Sequence, residues 1–183
     1  FTGRVQLVKA GTGTLTLTAT NTTASGGVTV SNGTLTVTGA TGLGTGPIAL
    51  CGGTLRNAQA SAPALQLSSL TWHAAAQVAL SLAADGSNPR VQVAGLLARG
   101  EGNAFFFDFG GSGAPNRTYT LLTFGATTFS ASDFRCRNLG SGRYAGLCGE
   151  FLAGSDTLAL RTFFPSATGL MVRGNARPAH ARP

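Results

Sequence analysis

The tripeptide Gly-Thr-Leu begins at Gly13, Gly33 and Gly53, a constant step of 20 residues. This step constrains the fold more than any single motif does. A unit that short cannot bury an apolar face alone, so it must stack on its neighbours. Around each tripeptide the residues alternate: "VTV" runs into "SNG" and then into "TLTV" over residues 28–37. Alternation is the two-residue period of a half-buried strand. Asn32 and Gly33 both tolerate positive φ, so they mark a turn. That turn could close a two-residue hairpin or form the corner of a wound coil, and the constant step favours the coil.

At a 20-residue offset Val8, Val28 and Ile48 coincide, as do Ala10, Val30 and Leu50. Leu15, Leu35 and Leu55 do the same. The expectation is an all-β solenoid with coils of about 20 residues, in which these side chains form internal ladders. The alternating threonines face outward, where β-branched side chains suit a pleated surface. Cys51 falls at the corner position held by Gly11 and Ser31 in the preceding units.

Composition excludes several other readings. Charged residues make up only 10% of the chain, but 43% is hydrophobic and in alternating order, which argues for a packed β-structure over disorder. The net charge is +7, and its bases are scattered from Arg4 to Arg182. They form no stripe, so nucleic acid is not an expected partner; acidic polysaccharide or a cell surface remains one. No apolar run is long enough for a transmembrane helix. His73 and His180 stand far apart with no zinc spacing among the cysteines. Asp85, Asp108, Asp133 and Asp156 recur at nearly even steps, which reads as aspartates at turns capping their own backbone. No nucleophile stands beside a base, so neither catalysis, a metal nor a cofactor is expected.

The second half differs in kind. Ten of the eleven phenylalanines follow residue 104. The expected division is coils over 1–95, a Phe-rich closing section over 96–165 and a basic tail over 166–183. In "FFFDF", Phe105, Phe107 and Phe109 share one face of a strand. Together with Trp72 they are either core or an exposed contact face. The alanines of residues 71–85 suit a helix, but Val78, Leu80 and Leu82 keep a period of two and favour a strand. Cys136 and Cys148 lie symmetrically about Gly142. A hairpin turning on residues 140–143 would set them opposite each other, which predicts a disulfide and an oxidising compartment.

The stretch "GTGTLTLTATNTTASGGVTVSNGTLTVTGATGLGTGPIALCGGTLR" resembles the autotransporter-associated β-strand repeat of bacterial secreted proteins. The matching pieces are residues 13–17, 21–22, 26–30, 33–37 and 43–47, and the resemblance spans about residues 8–57. It implies a right-handed parallel β-helix that is secreted or held on the bacterial cell surface. The expected role is structural or adhesive, with self-association head to tail into a filament. Two alternatives stand beside it. One is a carbohydrate-active β-helix using Trp72, Tyr119 and Tyr144 with Arg143; the other is the spacer stalk of a longer passenger.

Overall fold

The computed structural model describes residues 3–59, 64–88 and 90–165. The basic tail 166–183 lies outside the described residues. The chain passes alternately between two sheets, and its strands come in successive levels. These are β1 (Leu7–Lys9) with β2 (Thr14–Leu17), β3 (Val28–Val30) with β4 (Thr34–Val37), and β5 (Ile48–Leu50) with β6 (Gly53–Asn57). Next come β7 (Leu65–Leu67) and β8 (Leu70–Trp72) with β9 (Ala76–Leu82), then β10 (Val91–Arg99) with β11 (Phe105–Gly111). The last are β12 (Arg117–Thr127) with β13 (Phe134–Cys136), followed by β14 (Cys148–Ala153) and β15 (Thr157–Phe163). One sheet runs β1-β3-β5-β8-β10-β12-β15-β14, with β7 also on β10; the other runs β2-β4-β6-β9-β11-β13. Pairing is parallel throughout except where β15 joins β12 and β14 joins β15.

The protein is therefore all-β with parallel sheets, and Asn32-Gly33 is a corner between sheets, not the tip of a hairpin. Residues 71–85 hold the end of β8 and all of β9, joined by a turn, and no helix. On the second sheet Leu15, Leu35 and Leu55 stand in register, and the column continues through Val78, Phe107 and Cys136. Two glycines of the repeat are explained by this stacking. Gly33 and Gly53 have φ of 67° and 73°. A Cβ on Gly33 would also overlap the carbonyl oxygens of Gly11 and Gly13 one level away. Only glycine meets both demands.

The other ladder departs from expectation by one residue. Leu7, not Val8, stands opposite Val28 and Ile48, while Val8 faces solvent and is 54% exposed. The cause is the first corner. Four residues (10–13) separate β1 from β2, against three (31–33) between β3 and β4. A one-residue slip turns every side chain of a strand to the opposite face. Aligning the units on Gly-Thr-Leu hides that slip, and it places Lys9, not Ala10, in the column of Val30 and Leu50.

The Phe-rich section closes the core. Phe105, Phe107, Phe109 and Trp72 are all buried to 2% exposure or less, so they are core and not a contact face. Trp72 meets Phe107 edge-on at 5.2 Å, and its indole N–H donates to the Ala76 carbonyl. Phe151, on β14, lies 5.7 Å from both Phe107 and Phe134 of the opposite sheet. β14, the outer strand of the first sheet, thus sets Phe151 against the rings of the second.

The expected Cys136–Cys148 disulfide is not formed; all three cysteines are free thiols. The hairpin that would have aligned them is absent because each strand has a better partner. β13 continues the parallel stack on β11, setting Phe134 opposite Phe105. β14 instead pairs six residues with β15. Burial pushes the Cys136 thiol up to about 12. Cys51 is exposed at its corner.

Candidate functional site

The outer face of the second sheet carries a polar cleft of about 240 Å³. Its floor is a column formed by register alone: Arg56 stands opposite Ala79, and Ala79 opposite Asp108. Each faces outward because its chain neighbours face inward: Leu55 and Asn57, Val78 and Leu80, and Phe107 and Phe109 are all buried. Ala79 is the small member, and its short side chain makes the depression between the arginine and the aspartate.

The far wall is the segment that follows β13. There Asn138 replaces a strand neighbour for β11. It accepts from the Phe109 N–H at 3.0 Å and donates to the Phe109 carbonyl at 2.6 Å. The Tyr144 hydroxyl donates to the Gly110 carbonyl, and Arg143 donates to the Gly111 carbonyl at 3.1 Å. Tyr144 is nearly buried, and burial pushes its hydroxyl above the ordinary tyrosine range. These contacts fix Arg143 at the rim. The side chains of Arg56 and the half-buried Asp108 carry no hydrogen bond or ion pair among the described residues. A guanidinium binds a carboxylate or sulfate through paired N–H groups, and a carboxylate accepts from hydroxyls. The cleft therefore offers two anion-binding groups and one acceptor.

Residues 7–37, which hold β1 to β4, match the family model described as passenger-associated-transport-repeat. That segment is similar to the passenger-associated-transport repeat. The match agrees with the autotransporter-associated resemblance of the sequence. No curated protein and no solved structure matches the chain.

The repeat and the cleft are neighbours in one lattice. Arg56 occupies the outward position that Thr16 and Thr36 hold within the repeat, two and one levels earlier. That substitution is visible in the sequence alignment and is the signal that could have pointed to the cleft. Asp108 could not be paired with it, because the steps lengthen after the repeat: 23 residues from Leu55 to Val78 and 29 from Val78 to Phe107.

The other sequence candidates lie elsewhere. Trp72, Tyr119 and Tyr144 form no exposed platform, since all three are buried to 3% or less. The Tyr119 hydroxyl donates to the Ala83 carbonyl and accepts from the Ala114 N–H. Asp85 caps its turn through the Ser87 N–H and hydroxyl, which hold its carboxyl below the usual range. Asp133 closes the turn at Ser130 and sits 3.5 Å from Arg99. Asp156 lies in the turn between β14 and β15. Of the four evenly spaced aspartates, Asp108 alone stands within a strand. Among the described residues no three His, Cys, Asp or Glu side chains gather in a way that could hold a metal.

Proposed function

We propose that this protein is an extracellular or cell-surface bacterial spacer of the passenger type, a right-handed parallel β-helix whose role is to hold and extend, not to catalyse. The observation that carries this reading is the unbroken column from Leu15 to Cys136, one residue from every strand of the second sheet. Each level adds length by burying its apolar residue against the next, which is the logic of a stalk. The passenger-associated repeat at its start supports a place outside the cell. Of the two structural roles expected from the sequence, spacer is favoured over head-to-tail filament subunit. A filament needs bare ends, and beside β13, the last strand of the second sheet, Phe151 of β14 packs on Phe107 and Phe134.

Protease shaving of intact cells producing the tagged chain tests the location. Loss of the tag signal without lysis is the expected result. Protection until lysis would reject the surface reading.

A second reading rests on the cleft. Arg56, Asp108 and Arg143 together suit the carboxylate and hydroxyls of an acidic sugar. Binding to immobilised polygalacturonate, with dextran as the neutral control, is expected for the native chain. It should weaken several-fold in Arg56→Ala with Arg143→Ala. Equal retention on both polymers would remove this reading.

A further inference from the structure

Asn32 is the only asparagine of the sequence that is followed by glycine. The corners of the neighbouring levels hold Thr12 and Gly52 at its position. An asparagine before glycine can react with its own chain. The glycine nitrogen attacks the carboxamide carbon, ammonia leaves, and a five-membered succinimide forms. Glycine permits this because it has no Cβ to block the approach.

The corner between β3 and β4 sets up that attack. The Gly33 N–H donates to the Asn32 Oδ1 at 2.7 Å, so the carboxamide is held beside the nitrogen that would attack it. Holding reacting atoms at about 3–3.5 Å is what converts a neighbour into a nucleophile. The Gly33 N–H donates to no main-chain carbonyl among the described residues. Its neighbours do: Asn32 donates to the Lys9 carbonyl and Thr34 to the Gly13 carbonyl, one level earlier. The nitrogen is thus left out of the ladder while the residues around it are pinned. Asn32 is exposed, so water and hydroxide reach it.

Charge sets the rate of this step. The Gly33 nitrogen must lose its proton, and the negative charge then spreads by peptide resonance onto the Asn32 main-chain oxygen. That oxygen accepts from the Lys9 ammonium at 3.0 Å. Lys9 is 6% exposed and is fixed there by two more acceptors, the Ala10 carbonyl at 2.9 Å and the Gly11 carbonyl at 2.8 Å. A preorganised cationic donor on an oxygen that gains charge lowers the barrier to forming it. The product is favoured as well. Lys9 has no ion pair among the described residues, and a carboxylate at residue 32 brings this buried cation an opposite charge.

We propose that Asn32-Gly33 is a self-modification site, at which Lys9 promotes the conversion of Asn32 to aspartate or isoaspartate. Hydroxide takes the Gly33 amide proton, and the nitrogen bonds to the Asn32 Cγ. The bond from Cγ to the side-chain nitrogen breaks, and ammonia leaves with a proton from water. Water then opens the succinimide at either carbonyl, and isoaspartate adds one carbon to the main chain of the corner. This goes beyond the spacer reading, and its test does not depend on where the protein resides.

The native chain and Lys9→Met are incubated in mildly alkaline buffer, folded and in urea, and peptide maps follow residue 32. In the folded native chain Asn32 is expected to convert about tenfold faster than in urea. Lys9→Met, which keeps the stem and drops the charge, should slow conversion in the folded chain by about tenfold and leave the urea rate unchanged. Circular dichroism shows whether Lys9→Met is folded; where it is not, the native chain with and without urea decides. Conversion in the folded native chain no faster than in urea overturns the proposal. Folded Lys9→Met converting at the native rate overturns it as well.

Discussion

The first three levels and the last three are built on the same two sheets but held by different means. In the early levels each strand is three to five residues long and contributes one or two aliphatic side chains to its columns. In the late levels strands lengthen to as many as eleven residues, and the core fills with rings: Trp72, Phe105, Phe107, Phe134 and Phe151 are linked by ring contacts into a single cluster. Aliphatic stacking distributes stability evenly among neighbours, and each level depends on the one beside it. The aromatic cluster concentrates it instead, because a buried ring reaches several levels at once. The two halves therefore differ in what fills the column: the late one holds rings, and the early one includes the buried Lys9.

The largest effect expected from breaking this contrast is at Phe107. Phe107→Ala should cost about 3–5 kcal/mol by urea unfolding, near the upper range for core truncations, since Phe107 touches Trp72, Phe109, Phe134 and Phe151. Leu35→Ala in the early column should cost about 2–4 kcal/mol. Equal losses at the two sites would remove the distinction between concentrated and distributed cores.

A smaller effect separates two glycines of the same tripeptide. Gly33→Ala is expected to destabilise by more than about 1 kcal/mol, because its φ is 67° and a Cβ meets backbone oxygens. Gly13→Ala has open space around it and should change stability by about 0.5 kcal/mol or less. Unfolding midpoints of the two variants compare them directly. If both behave alike, stacking at the corner is not what selects glycine.

The gentlest probe concerns the thiols. Cys51 is exposed, whereas Cys136 is half-buried with its thiol pushed from 9.0 up to about 12. Cys51 should react with iodoacetamide at mildly alkaline pH much faster than Cys136, which mass mapping of the native protein resolves. The linked stability follows in sign. A folded-state value above the unfolded one favours the folded chain fully below pH 9.0, and this contribution fades as pH rises toward about 12. Similar labelling rates at the two sites would count against burial of Cys136.

Legibility in the sequence followed the same divide. The Leu15–Leu35–Leu55 column could be read directly because Gly-Thr-Leu and its corner repeat without insertion. On the opposite sheet the reading slipped at Val8, since one added residue in a corner is invisible to an alignment anchored downstream. Lys9 was missed for that reason, and with it the charge in the core. The cleft was half legible: Arg56 stands out among stacked threonines, but its partners arrive from levels of a different length.

The sequence by itself determined that this chain is all-β, that short strands stack, and that glycine and asparagine turn the corners. These are local properties, set by side-chain alternation and backbone freedom within a few residues. The tertiary structure alone decided which face of β1 points inward, that the phenylalanines are core, and that Cys136 and Cys148 lie on different sheets as free thiols. Those outcomes depend on which distant strand wins each edge. That competition is settled by total buried apolar surface and ladder hydrogen bonds, not by any segment alone.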